Sequence, residues 1–390
     1  RRSRCCWDAA PKQSEVMTDS FSAQRYGDST RTVKAVDSEA ISGQPIAAVP
    51  VPASAYHLSD DEGSEPHVYG RYSNPTWSQL ESALAGLEGA ASALAFGSGM
   101  AAVTAALRVL VKPGSVLVIP ADGYYQVRRY GSESLAPLGV TVREATAAQL
   151  YEAAEAADVV LAETPTNPGL DVVDLHRLGE ICHHRGGHLV VDNTTATPLG
   201  QQPLSLGADL VVASATKALA GHSDLLAGYV AGSRADLMAA VERERLLAGP
   251  ILGAFEAWLL VRSIGSLGLR FERQCRNAMA LAVELQGHPK VRAVRYPGLP
   301  ADPSHPVAAN QMRRFGGLVS VELADAEAVH ALVRRSELLL AATSFGGIHT
   351  CVDRRARWGD EVPSGFARIS AGIEDTDDLV ADVRRALDAD

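Results

Sequence analysis

The sequence predicts an α/β protein, with a larger domain built on a mostly parallel sheet and a smaller α+β domain after it. Three observations predict it. Short apolar runs recur between residues 93 and 231 with helix-length crossovers between several of them; strands joined in this way form a parallel sheet covered on both faces. A long helical stretch, Gly253 to Gln286, then carries the chain away. Beyond it, Pro297-Gly298-Leu299-Pro300 marks a turn into a second set of short apolar runs. With 390 residues, 46% of them apolar, the chain has material for two cores.

The elements follow in order. Residues 1–16 have no periodicity and read as a non-native or mis-assigned leader ahead of Met17-Thr18-Asp19-Ser20. Residues 17–68 are rich in Ser, Pro, Gly and acids and read as an extended arm. Residues 69–265 form the larger domain, with strands expected at Ala93–Phe96, Val116–Pro120, Asp158–Glu163, His188–Asp192, Asp209–Ala213 and Ala227–Ala231. Residues 266–390 form the smaller one, with strands expected at Val291–Arg295, Leu318–Leu323, Glu337–Ala341 and Phe366–Ser370. A closing helix, Asp377–Leu387, has Thr376 as its expected N-cap.

Composition excludes several classes. A net charge of −10 leaves no basic footprint for nucleic acid. No apolar run reaches the length of a membrane span, and the N-terminus lacks the apolar stretch of a signal peptide. Five scattered cysteines (Cys5, Cys6, Cys182, Cys275, Cys351) have no metal-ligand spacing and suit a reducing cytoplasm. His183, His184 and His188 are separated by Gly186-Gly187 and read as solvated helix-end residues, so no metal is expected.

The chemistry concentrates at strand ends. Lys217 closes Ser214-Ala215-Thr216-Lys217 directly after an apolar run. A lysine there, with hydroxyls at −3 and −1, presents an amine to an aldehyde while its hydroxyls grip a phosphate, which points to pyridoxal phosphate. The plain alternative is a strand-ending lysine in water. Asp192 ends Val190-Val191-Asp192 and could hold a pyridine nitrogen protonated, or cap a helix. Gly97-Ser98-Gly99-Met100 joins a short strand to an alanine-rich helix, whose free N–H groups suit a phosphate. The same residues also read as a dinucleotide fingerprint, with Asp122 near the place of a ribose-binding acid, so a nicotinamide oxidoreductase is the alternative class. Arg368, in a strand-like run, needs an anion partner: a substrate carboxylate or a nearby acid.

In order along the chain stand Tyr69-Gly70-Arg71-Tyr72-Ser73-Asn74-Pro75-Thr76, Gly97-Ser98-Gly99-Met100, Glu163-Thr164-Pro165-Thr166-Asn167-Pro168, Val191-Asp192-Asn193-Thr194, Ser214-Ala215-Thr216-Lys217 and Gly365-Phe366-Ala367-Arg368-Ile369-Ser370. From about Tyr69 onward the chain thus resembles the cystathionine γ-synthase/γ-lyase family of trans-sulfuration enzymes, and looks closest to the actinobacterial proteins called cystathionine γ-lyases. The resemblance implies the type I pyridoxal-phosphate transferase fold, pyridoxal 5'-phosphate as cofactor, an amino-acid substrate, and a homo-oligomer, a dimer of dimers with shared active sites. It implies that Lys217, Tyr124 and Asp192 are catalytic, with Tyr124 stacked on the cofactor. Ser98, Gly99, Met100, Asn167, Ser214 and Thr216 are then further cofactor ligands, with Tyr69 and Arg71 donated across the dimer interface, and Asn167, Ser344 and Arg368 bind the substrate carboxylate.

Two departures bear on substrate. Where the family motif carries a glutamate that meets the distal amino group of cystathionine, this chain has His349, in Ser344-Phe345-Gly346-Gly347-Ile348-His349-Thr350. An imidazole there removes a fixed negative charge. The usual Y-G-G-T is Tyr124-Tyr125-Gln126-Val127, so the cysteine marking methionine γ-lyases is absent and that reading is minor. The expected reaction is γ-elimination from L-cystathionine or a related γ-substituted amino acid, with γ-replacement on an O-acylhomoserine as the alternative. A non-enzymatic relic is disfavoured by the presence of Lys217, Asp192 and Arg368 together.

Overall fold

The computed structural model describes residues 26–37, 40–60 and 65–389. The leader 1–16, with Cys5 and Cys6, and part of the arm lie outside the described residues. Seven strands make the larger sheet: β1 (Ser92–Phe96), β2 (Val116–Pro120), β3 (Thr141–Ala145), β4 (Val159–Glu163), β5 (His188–Asp192), β6 (Leu210–Ala213) and β7 (Gly228–Gly232), in the order β1-β7-β6-β5-β4-β2-β3. All are parallel except β7, which runs against both neighbours. Burial on both faces explains the unbroken apolar runs. Leu161 and Val190 enter one core with Leu117 and Ile119, while Val160, Leu189 and Val191 enter the opposite one.

The smaller sheet is β8 (Ala293–Arg295), β9 (Leu318–Glu322), β10 (Leu340–Ala341), β11 (Cys351–Arg354) and β12 (Phe366–Ser370), in the order β10-β11-β12-β9-β8. Only the β10–β11 pair is parallel. Val319, Val321 and Ile369 pack against Leu281, Leu285, Leu379 and Val383 from the helices Leu267–Gln286 and Thr376–Asp388. These positions recur at helical spacing, which aims one apolar stripe of each helix at the sheet.

Several expectations need correction. The arm is not uniformly extended: Asp28–Ala35 is a helix, docked on its own chain through Arg31 Nη2 to the Leu87 carbonyl at 3.1 Å and Arg314 Nε to Asp28 at 2.8 Å. Gly268 permits that approach, because a Cβ there would lie 2.6 Å from the Ser29 Cα. The stretch 253–286 is two helices, Ala254–Ile264 and Leu267–Gln286, broken at Gly265-Ser266. Of Glu337–Ala341 only two residues pair, since Asp382 accepts the Glu337 and Leu338 N–H groups and the Ser336 hydroxyl accepts that of Leu339. Thr376 is the first helical residue rather than the N-cap, and its hydroxyl donates to Asn277 Oδ1 at 2.7 Å. Edge strand β3 and buried β11 were not expected. His183 and His184 are exposed in the last turn of the helix Leu175–His184, as expected, and His183 Nε2 lies 3.0 Å from Asp209 Oδ2.

Among the described residues no helix is long and apolar enough to cross a membrane, and no cluster of His, Cys, Asp and Glu is arranged to hold a metal. Cys182, Cys275 and Cys351 are free.

Candidate active site

The carboxyl ends of the parallel strands open into a cleft of about 440 Å³, the edge at which open α/β sheets take their ligands. Lys217 reaches it from the turn after β6, which is closed by Lys217 N–H to Ser214 carbonyl at 3.2 Å and Gly221 N–H to Lys217 carbonyl at 2.8 Å. Buried Arg270 fixes that turn, donating to the Ala218 carbonyl at 2.7 Å and the Leu219 carbonyl at 3.1 Å. Lys217 Nζ donates to Ser344 Oγ at 2.9 Å. Burial pushes its amine down to about 8, and the Arg368 charge adds to that. A partly buried amine with a depressed value is available as a nucleophile and base near neutrality.

Asp192 ends β5, where its Oδ1 accepts the Thr194 N–H at 2.9 Å. Burial raises its carboxyl above the usual range, with the Thr194 bonds opposing. Directly across the parallel register lies Glu163, at the end of β4. Its carboxylate is also buried, accepting Asn167 N–H at 2.7 Å and Tyr124 N–H at 2.8 Å, and burial together with the Asp192 charge pushes it up to about 8. Among the described residues no basic side chain forms an ion pair with either acid.

At the other end of the cleft, Ser98 caps the helix Gly99–Leu110, its hydroxyl accepting Ala101 N–H at 3.1 Å. The first amides of that helix have no intrahelical partner. Gly99 sits so close to Ser214 that a Cβ would come within 2.6 Å of the Ser214 Cβ. This leaves a cradle of N–H groups and hydroxyls suited to a phosphate. Thr216 also lines it, although its hydroxyl already bridges the N–H and carbonyl of Ala227. Tyr124 presents a partly exposed ring to the cleft. The donor set fits pyridoxal phosphate: an amine, a buried carboxylate awaiting a cation, and an anion cradle share one cavity. Asp122, the acid of the dinucleotide alternative, accepts the Ala147 N–H on Oδ2 at 3.0 Å and does not line the cleft.

Arg368, on β12, enters the cleft from the smaller sheet. Its Nη1 donates to Asn167 Oδ1 at 2.5 Å and its Nη2 to the Ser344 carbonyl at 2.7 Å, with Asp353 Oδ2 at 3.5 Å. Its Nε is buried without a partner, a donor that a bidentate carboxylate would satisfy.

The structure thus brings Ser98, Gly99, Met100, Tyr124, Asn167, Asp192, Ser214, Thr216, Lys217, Ser344 and Arg368 into one cleft. It does not bring Tyr69, Arg71 or His349 there. Arg71 Nη1 donates to the Leu246 carbonyl at 3.0 Å and its guanidinium lies over the rings of Tyr69 and Tyr72. His349 is exposed because its neighbour Thr350 is pinned inward, N–H and hydroxyl both donating to Glu374. Sequence reasoning missed Glu163 and the Asp353–Arg355–Trp358 wall. Glu163 carried the same signal as Asp192, a carboxylate closing an apolar run. In the wall, Asp353 accepts from Arg355 at 2.8 Å and from the Trp358 indole at 2.9 Å.

A sheet whose carboxyl edge gathers lysine, buried aspartate and phosphate cradle defines a pyridoxal-phosphate-dependent enzyme of α/β fold. The chain belongs to the family described as Cys/Met metabolism PLP-dependent enzyme, which matches residues 29–388. It is 46% identical over 389 residues to a Streptomyces coelicolor protein named "Putative cystathionine gamma-lyase", covering 98% of each chain. It is 38% identical to a cystathionine γ-synthase of Mycobacterium tuberculosis over 87% of this chain and 91% of that one. A cystathionine γ-lyase structure from Micromonospora echinospora superposes with a TM-score of 0.86 at 37% identity, covering 94% of this chain and 100% of the other.

Proposed function

We propose that this chain is a γ-lyase that cleaves L-cystathionine, or a related γ-substituted amino acid, to cysteine, 2-oxobutanoate and ammonia. The observation that carries the reading is the Lys217 amine, held at Ser344 between Asp192 and Arg368 in one cleft. Bound pyridoxal phosphate supplies the electron sink that acidifies first Cα and then Cβ of the amino acid. Asp192 would hold a negative charge against the cofactor's ring nitrogen, Tyr124 would supply an aromatic face to the ring, and Ser98, Gly99, Met100, Ser214 and Thr216 would hold the phosphate. Arg368 would bind the α-carboxylate through its unpartnered Nε, flanked by Asn167 and Ser344. Lys217 is the attachment point for the cofactor aldehyde. Once free, it takes the Cα proton and returns it at other carbons, the shuttling that departure of a γ-substituent requires.

The reading includes a cytoplasmic homo-oligomer, a dimer of dimers whose active sites receive Tyr69 and Arg71 from the neighbouring subunit. Both residues lie apart from the cleft of their own chain, which supports that arrangement. γ-Replacement on an O-acylhomoserine uses the same residues and is the second reading, favoured by the likeness to a named γ-synthase. Turnover of L-cystathionine alone should release 2-oxobutanoate and thiol. Consumption of O-succinylhomoserine only when cysteine is added, with no cleavage of cystathionine, would replace the lyase reading by the synthase.

A further inference from the structure

We propose that Glu163 is a positioning residue of the cofactor site: its two carboxylate oxygens tie the turn that carries Tyr124 to the turn that carries Asn167. The inference rests on the cofactor site described above and not on which γ-substituent is cleaved.

Each oxygen has its own task. Oε2 accepts the Tyr124 N–H at 2.8 Å and Oε1 the Asn167 N–H at 2.7 Å. Asn167 in turn accepts the Arg368 guanidinium on its side-chain oxygen. One continuous set of bonds therefore runs from the ring-bearing Tyr124, through Glu163 and Asn167, to the carboxylate-binding Arg368. It spans the cofactor and substrate ends of the cleft. Gly123 makes room for it, because a Cβ there would sit 2.7 Å from Glu163 Oε2.

Stability alone does not account for an acid at this position. The charged and titratable groups that face it are Asp192 from β5, Asp122 and Tyr124 from the turn after β2, and Arg368 from β12. None forms an ion pair with it, and a buried carboxylate with a second acid beside it costs folding free energy. Accepting one N–H on each of two separate oxygens is what the carboxylate does that other side chains of its size do not. A glutamine offers one acceptor oxygen, and an aspartate is one methylene too short to reach both turns.

The test uses purified apoprotein titrated with pyridoxal 5'-phosphate, followed by quenching of intrinsic fluorescence with no amino acid present. Glu163→Gln should weaken cofactor binding about tenfold, the effect of losing one hydrogen bond to a charged group. Above about pH 8, where Glu163 is ionised, it should also shift the pH midpoint of the bound cofactor's visible band to lower pH, because a negative charge in the cleft has gone. A residue that served only the fold would leave that midpoint in place. Glu163→Asp, which keeps the acid but is one methylene too short to reach both turns, should reproduce the loss of affinity, and it decides the matter if Glu163→Gln does not fold. Wild-type affinity in either soluble variant, or an unmoved midpoint in Glu163→Gln, would overturn the assignment. Failure of the enzyme on cystathionine would leave these readouts intact, so the two readings fail separately.

Discussion

Lys217 rests on Ser344: the amine donates to the serine hydroxyl at 2.9 Å, and the same serine offers its backbone carbonyl to Arg368 at 2.7 Å. Ser344 does this in a left-handed conformation, φ 71°, which a non-glycine residue adopts at a cost on the order of 1 kcal/mol. The conformation aims one residue's two oxygens at the amine and the guanidinium. Ser344→Ala keeps the backbone and removes only the hydroxyl. It should lower kcat about tenfold while cofactor affinity stays at the wild-type value. Steady-state kinetics beside a cofactor titration checks this, and an unchanged kcat would remove Ser344 from the handling of the lysine.

The paired acids make the apoprotein sensitive to pH. Glu163 is raised from 4.5 to about 8 in the folded chain, and Asp192 is raised as well. A raised carboxyl binds its proton more tightly when folded, so its stabilising contribution is complete below about 4.5 and is lost as pH climbs to about 8. Lys217 works in the other direction, since a depressed amine relieves its burial penalty only above about 8. The melting temperature of wild-type apoprotein, minus that of Glu163→Gln, should therefore fall as pH rises from 4.5 to 8. A flat difference across that window would mean that Glu163 titrates normally.

How much was legible depended on whether one local pattern carried the signal. An apolar run ending in a functional group marked Lys217 and Asp192, because a parallel sheet buried on both faces writes its strands as continuous Val, Leu and Ala. Glu163 ends such a run too, but it sits in a proline-rich motif and was read only for Asn167. β3 (TVREA) is a largely exposed edge strand and lacks the apolar run. β11 (CVDR) is invisible for the opposite reason: its Asp353 is buried, and Arg355, Trp358 and Arg368, all outside the strand, make that tolerable. The short pairing of β10 likewise depends on Asp382, from a helix some forty residues later, taking the backbone donors that a longer strand would have used.

His349 stands where the family places an anionic contact to the distal amine, but its side chain is exposed and outside the cleft walls. Thr350, fixed on Glu374 by two bonds, turns it outward. His349→Glu should therefore change kcat/KM for cystathionine by no more than about twofold, as for other surface substitutions. A fall in KM for cystathionine but not for O-acylhomoserines would restore the residue to the substrate site, with the neighbouring subunit the natural place for the rest of it.

Tyr69 and Arg71 give the sharpest test of shared sites. Within their own chain they are engaged away from the cleft, Arg71 with the Leu246 carbonyl and both in a ring cluster with Tyr72. If they complete the phosphate cradle of a neighbour, a subunit carrying Lys217→Ala can lend Arg71 to a partner that carries Arg71→Ala. Each variant alone should be inactive, or nearly so: the first lacks the amine and the second has a weakened cofactor site. In a mixed dimer one site combines both lesions and the other contains neither, so the isolated mixed species should recover at most about half of wild-type activity, one intact site of two. Co-expression with two affinity tags isolates the mixed species, and its rate of 2-oxobutanoate release is the readout. Demonstrably mixed dimers with no activity above the separate variants would mean that each subunit completes its own site, with Arg71 serving only the Leu246 contact seen here.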